Sequence, residues 1–248
     1  MAIKDIILHV GDGGSASCVN LAGAIAKAHG ARITAFIEGG GAEGKAASIK
    51  DAAGGAEVES HNFDGRQDEL VVHHSLHCDL IVISQAHGDL ASELIVGSGR
   101  PVLIVPTAGK FSSLGKTVLI AWDGTREASR ATHDALPLLA KDAKVKLYHI
   151  NPHDIGKNPA TEVATHLALH GIKAEADHTY SKIPASETAL FGARSLKVGD
   201  LLLSAASDMG ADMLVMGAYS HSRTREMMTG GVTRSILQHM TIPVLMSH

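Results

Sequence analysis

One pattern of apolar runs occurs twice along this chain, in the same order. The segment KDIILHVGDG at 4–13 reappears as KTVLIAWDG at 116–124, each an apolar run ending in Asp-Gly. Alanine- and leucine-rich helical stretches follow at 21–29 and 132–139, and RITAF at 32–36 is answered by KVKLY at 144–148. Farther on, CDLIVIS at 78–84 matches ADMLVMG at 211–217, and RPVLIV at 100–105 matches IPVLMS at 242–247. Self-similarity of this kind means one structural unit built twice. Two domains are therefore expected, 1–111 and 112–248, joined through the small and polar stretch 107–115.

The runs are short and nearly continuous in Val, Ile and Leu, as central strands of a parallel sheet are when helices cover both faces. Alternation of such strands with helical stretches predicts two doubly wound α/β domains, each with a sheet of about five strands. Residues 195–209, with Leu196, Leu203 and Ala206 on one face, suit an amphipathic helix packed on such a sheet. The segment 39–55 is rich in glycine and alanine without a hydrophobic period, which predicts a loop or a weak helix. The last run of each repeat, Val102–Val105 and Val244–Ser247, is expected to supply a pairing edge, either between the domains or between subunits of a homodimer.

Composition narrows the functional classes. With 45% apolar but only 3% aromatic residues, the core is aliphatic and stacking platforms for single-stranded nucleic acid are not expected. A net charge of −4, with both signs scattered, supplies no field for DNA or anionic lipid. Cys18 and Cys78 form no CxxC pair and no disulfide framework, which suits a reducing compartment. The first apolar run stops at Gly11, well short of the ~20 residues that span a bilayer. The expectation is a cytoplasmic protein with neither nucleic acid nor membrane as partner.

Ligands of open parallel sheets bind beyond the carboxyl ends of strands, where free backbone N–H groups can hold phosphate. In the second repeat, the run at 213–216 is followed by GAYSHSRTREMMTGGVTR at 217–234 and then by a helical stretch. Gly217, Gly230 and Gly231 permit close backbone approach, and a helix beginning near Val232 presents unpaired N–H donors. Arg223, Arg225 and Arg234 could pair with phosphate charge. The alternative for these glycines is plain turn punctuation.

Ala121-Trp122-Asp123-Gly124, the loop from Met216 through Gly230-Gly231-Val232-Thr233-Arg234, and Ile242-Pro243-Val244-Leu245 together resemble the universal stress protein family. The resemblance extends through both repeats, as in a tandem member of that family, with the fold of the adenine nucleotide alpha-hydrolases. It implies a stress-response regulator or sensor that binds ATP or a related adenine nucleotide, with Mg, and is not an enzyme. Slow ATP hydrolysis would have only Asp123 or Glu226 as a general base beside the loop. Nucleotide-binding members carry Gly, two residues, Gly, nine residues, Gly, then Ser or Thr; here the frame reads Gly217, Ser220, Gly230 and Gly231. Ser220 adds a side chain and Gly231 removes a hydroxyl, for which Thr233 or Ser220 could substitute. The resemblance further implies that Ala121, Asp123, Ile150 and Met216 border adenine and ribose, while Gly217, Ser220, Arg223, Gly230, Gly231, Val232 and Thr233 surround the phosphates. The altered frame also allows a nucleotide-free interaction or dimerisation protein.

In the first repeat, 17 positions separate Ser84 from Pro101, against 26 between Gly217 and Pro243. Matching 92–96 with 234–238 predicts that the phosphate loop is deleted there. Gly11 to Ala16 satisfies the loose dinucleotide pattern GxGxxA, with Glu38 in place for a ribose, but the second repeat lacks the fingerprint at that point. His73, His74, His77 and Cys78 cluster at a spacing metal ligands also use, yet solvated or helix-capping histidines are the expectation, and no metal site is assigned.

Overall fold

The computed structural model of the chain describes residues 2–12, 15–63, 68–151, 160–180, 191–219 and 231–248, without the side chains of 15 and 191–197. Its contacts divide it into two compact units, Met1–Leu114 with Pro243–Ser247, and Gly115–Ile242 with His248.

The first unit runs β1 (Asp5–Val10), α1 (Ser15–His29), β2 (Arg32–Glu38), α2 (Ala42–Ala53), β3 (Val58–Phe63), α3 (Asp68–Ser75), β4 (Leu80–Ser84), α4 (Gly88–Gly97) and β5 (Val102–Val105). Its strands lie side by side in the order β3-β2-β1-β4-β5, parallel throughout. The chain's last strand, Val244–Ser247, joins the same unit and pairs antiparallel with β5, Leu245 opposite Leu103. Strands β4 and β5 are buried along their whole length, as the uninterrupted apolar runs require. Helix α1 packs on β1, β4 and β2 and buries Cys18, Leu21, Ala22, Ile25 and Ala26, a stripe at helical spacing. Between β4 and α4 there is only a 3-10 turn at Gln85–His87.

The segment 39–55, expected as a loop or weak helix, contains the twelve-residue helix α2. Its apolar signal is small because only Ile49 and Ala53 are buried, and Gly54 closes it at φ 57. Strand β3 was not legible either: VESHNF alternates between half-buried and exposed, because an edge strand buries only part of its surface.

The second unit repeats the plan with β6 (Thr117–Ala121), α5 (Arg126–Ala135), β7 (Lys144–Ile150), α6 (Ala160–Leu169), β8 (Ala174–Thr179), α7 (Phe191–Asp208), β9 (Met213–Gly217) and α8 (Gly231–His239). Its parallel strands lie in the order β9-β6-β7-β8; the strand Val244–Ser247 that follows is β10. The predicted helix over 132–139 is displaced: α5 starts at Arg126, where Thr125 accepts from Ala128 N–H, and Pro137 turns the chain into a 3-10 segment, Leu136–Leu138. Helix α7 begins before 195; its buried positions among the described side chains are Gly199, Leu202 and Ala206, at helical spacing, while Leu203 is half-buried and the side chain of Leu196 lies outside the described residues. Both cysteines are free and buried, and burial pushes each thiol up to about 12, leaving inert core residues. Among the described residues no helix is long and apolar enough to cross a membrane.

Candidate functional site

In the second unit the chain order reverses between β6 and β9, because the chain leaves β6 toward β7 and β8 and returns on the other side at β9. The carboxyl ends beside such a reversal form the usual ligand crevice of open α/β sheets. Ala121 ends β6 and pairs with Met216 of β9 and with Tyr148 of β7. Ile150 ends β7 and Gly217 ends β9. Gly231, Val232 and Thr233 make the first turn of α8, whose N–H groups lack intrahelical partners. Ser220, Arg223 and Gly230 lie outside the described residues, as does Arg225; Arg234 is exposed on α8.

Several of these residues carry structural duties that the sequence did not announce. A Cβ on Gly217 would lie 2.5 Å from Ala128 N and 2.6 Å from the Glu127 carbonyl carbon, so glycine here lets α5 pack against the end of β9. The Thr233 hydroxyl, buried, accepts from Tyr219 N–H at 3.4 Å and holds the chain leaving β9 against α8. Asp123 is exposed and its Oδ1 accepts from the N–H and the hydroxyl of Thr125, at 3.0 and 2.6 Å.

Other features of this end were missed. Glu127 is 4% exposed and bonded to the Arg126 guanidinium. Burial pushes its carboxyl up, but the Arg126 hydrogen bond, a backbone N–H and the charges of Arg126 and His248 outweigh it and hold the group below its usual range. The indole Nε1 of Trp122 is buried without a hydrogen-bond partner among the described residues. The described non-glycine residues with positive φ, Asn151 at 57° and Tyr219 at 58°, directly follow Ile150 and Ala218 at the same end. Such a conformation costs roughly 1–2 kcal/mol per residue and tends to persist at functional sites. By contrast, a cleft of about 580 Å³ bordered by Lys144, Ala168, Ile172 and Glu175 opens at the amino ends of β7 and β8, away from these groups.

Among the described residues of the first unit, His73, His74, His77 and Cys78 do not bring three ligand atoms together. His74 packs its ring against Phe36 and His61, with centroids 5.2 and 5.6 Å away. Burial, then the charges of His61 and His73, lower its pKa. The Cys78 thiol donates to the Ser75 carbonyl. His61, a neighbour of the cluster in sequence, reaches it through β3. Three potential ligands do converge elsewhere, at His9, Glu38 and His87. Burial, then His87, lowers the His9 pKa from 6.5 to about 4, so its imidazole is neutral at neutral pH.

This chain belongs to the universal stress protein family, whose model matches residues 115–248. The fold of the whole chain is shared with a universal stress protein from Archaeoglobus fulgidus DSM 4304, at a TM-score of 0.72 and 16% identity, over 97% of this chain and 95% of that one. A functionally unknown protein from Pseudomonas aeruginosa PAO1 is similar at a TM-score of 0.64 and 15% identity, over 99% and 92% of the two chains. No curated protein sequence gives a significant match.

Proposed function

We propose that the protein is a stress-response regulator whose second unit binds ATP or a related adenine nucleotide with Mg. The observation that carries this reading is the convergence of the β6, β7 and β9 carboxyl ends with the first turn of α8 at the reversal of strand order. Ala121, Asp123, Ile150 and Met216 border adenine and ribose. Gly217, Ser220, Gly230, Gly231, Val232 and Thr233 surround the phosphates, and Arg223 pairs with their charge. The buried N–H of Trp122 and the paired positive-φ residues support a built site at this end. Mg would screen phosphate charge that the backbone donors alone do not neutralise. The role is binding rather than catalysis: of the two candidate bases Asp123 is engaged by Thr125, and Glu226 lies outside the described residues. In the first unit, where β4 leads through one 3-10 turn into α4, the phosphate loop has been lost and the domain serves a structural or dimerising role.

A nucleotide-free interaction protein is the second reading. It is favoured by the duties of Gly217 and Thr233, which account for both residues without a ligand. Native mass spectrometry of the purified chain, followed by calorimetric titration with Mg-ATP, ADP and AMP, separates the two. One adenine nucleotide per chain is expected, and Gly230→Val should abolish it without unfolding the protein. Absence of binding at millimolar nucleotide selects the second reading; two nucleotides per chain would show that the first unit has kept a site.

A further inference from the structure

The strand registers put the two units in correspondence. Asp5 pairs with Arg32 as Thr117 pairs with Lys144, and Ile6 pairs with Leu80 as Val118 pairs with Met213. Followed along the strands, His9 stands in β1 where Ala121 stands in β6, and Glu38 ends β2 where Ile150 ends β7. His87 follows Ser84, the end of β4, at the same interval in sequence as Ser220 follows Gly217. Positions that are aliphatic or hydroxyl-bearing in the second unit are thus two imidazoles and a carboxylate in the first, again at the reversal of strand order, here between β1 and β4.

These groups converge on one point. A ligand atom from each of His9, Glu38 and His87 lies within 4.8 Å of the other two. His9 Nε2 is 3.7 Å from Glu38 Oε2, and the His9 and His87 rings meet edge to face with centroids 4.6 Å apart. His9 is 2% exposed; its Nδ1 and the Nε2 of His87 are buried with no hydrogen-bond partner among the described residues. The His87 nitrogen left in this way calls for a physical explanation, and a cation is one that suits a bare imidazole nitrogen, with His9 facing Glu38 through Nε2. The floor is backbone: a Cβ on Gly11 would lie 2.3 Å from His87 Nε2 and 3.3 Å from Glu38 Oε2. Lys45 closes the Glu38 side, donating to the Glu38 carbonyl at 2.7 Å and pairing with Asp12 at 3.2 Å.

We propose that His9, Glu38 and His87 form a binding site for a divalent transition metal of the zinc class at the carboxyl ends of β1, β2 and β4. Two imidazoles and one carboxylate are a ligand set for such an ion and leave a coordination position for water or another ligand. Ligand atoms around a tetrahedral zinc sit about 3.4 Å apart, so binding closes the His9–Glu38 pair by about 0.3 Å and the widest pair by no more than about 1.4 Å. The argument rests on the first unit alone and holds whether or not the second binds nucleotide.

The test is titration of the full chain, purified without a histidine tag and stripped with chelator, with Co²⁺ followed by visible absorption and with Zn²⁺ in competition. One cobalt per chain is expected, displaced by zinc. Glu38→Gln and His87→Ala should each weaken binding by at least about ten-fold, with circular dichroism confirming that each variant is folded. Both positions are only half-buried, and Glu38→Gln decides alone if His87→Ala fails to fold. Two control variants remove other histidine pairs: His133→Ala with His166→Ala, whose Nε2 atoms lie 3.1 Å apart, and His73→Ala with His77→Ala. Both controls should retain the site. Absence of binding at micromolar metal, binding unaffected by Glu38→Gln and His87→Ala, or binding lost in a control instead would overturn the proposal.

Discussion

His9 shows how far a single residue can depart from what its neighbours in sequence suggest. It lies within an apolar strand run as one of 16 histidines, and only its register, equivalent to that of Ala121 in the other repeat, marks it as unusual. Burial is the main cause of its pKa of about 4, with the charges of His87 and Lys45 acting in the same sense and Asp68 opposing them. Its folded-state pKa is depressed, so its contribution to stability is complete above 6.5 and is lost as pH falls through 4. The metal-free chain should lose about 3 kcal/mol from this group across that window. Urea unfolding at a series of pH values measures it, and His9→Gln should flatten that part of the profile. Glycine gave a different lesson at this scale. Gly217 stood out as a residue that lets backbone approach phosphate, whereas the approach observed is that of α5, something a loop pattern could not reveal.

At the scale of elements, the repeated segments carry an instruction beyond their apolar runs. Asp79 precedes β4 and its Oδ2 accepts from the N–H groups of Lys4 and Asp5, at 2.8 and 3.1 Å. Asp212 precedes β9 and accepts from Gly115, Lys116 and Thr117, at 2.9, 3.0 and 3.2 Å. Each carboxylate satisfies backbone donors that a strand cannot satisfy before its ladder begins, and so ties together the starts of two strands distant in sequence. Asp212→Ala should destabilise the protein by about 2 kcal/mol, read from the denaturant midpoint, because it leaves three donors without this acceptor. Asp212→Asn, which keeps an acceptor oxygen without the charge, should fall between. The strands so tied were legible because they are buried on both faces. Strands β3 and β8, with their alternating partial exposure, were not, since edge position weakens the apolar signal.

For the molecule as a whole, the consequential pairing is that of the two final strands. β10 covers the outer edge of β5 in the first unit, through Val244, Leu245 and Met246 against Ile104, Leu103 and Val102. These residues are fully buried, so removing β10 exposes an apolar strand edge of the kind that seeks another chain. A chain ending at Ile242 should be less stable and should self-associate. Size-exclusion chromatography with light scattering tests this against the full chain; a truncated chain that stayed at the same oligomeric state with unchanged stability would deny β10 that role.

The sequence by itself determined the twofold repetition and the parallel α/β architecture. Both are written in local burial periodicity and in residues close together along the chain. Only the tertiary structure decided that Gly217 faces α5, that Thr233 is bonded to Tyr219 N–H, and that His61 reaches His74. It alone brought His9, Glu38 and His87 to one point. The physical reason is that such encounters depend on which strand ends lie side by side and in what register. Those are relations between distant segments, and no periodicity within any one of them encodes the meeting.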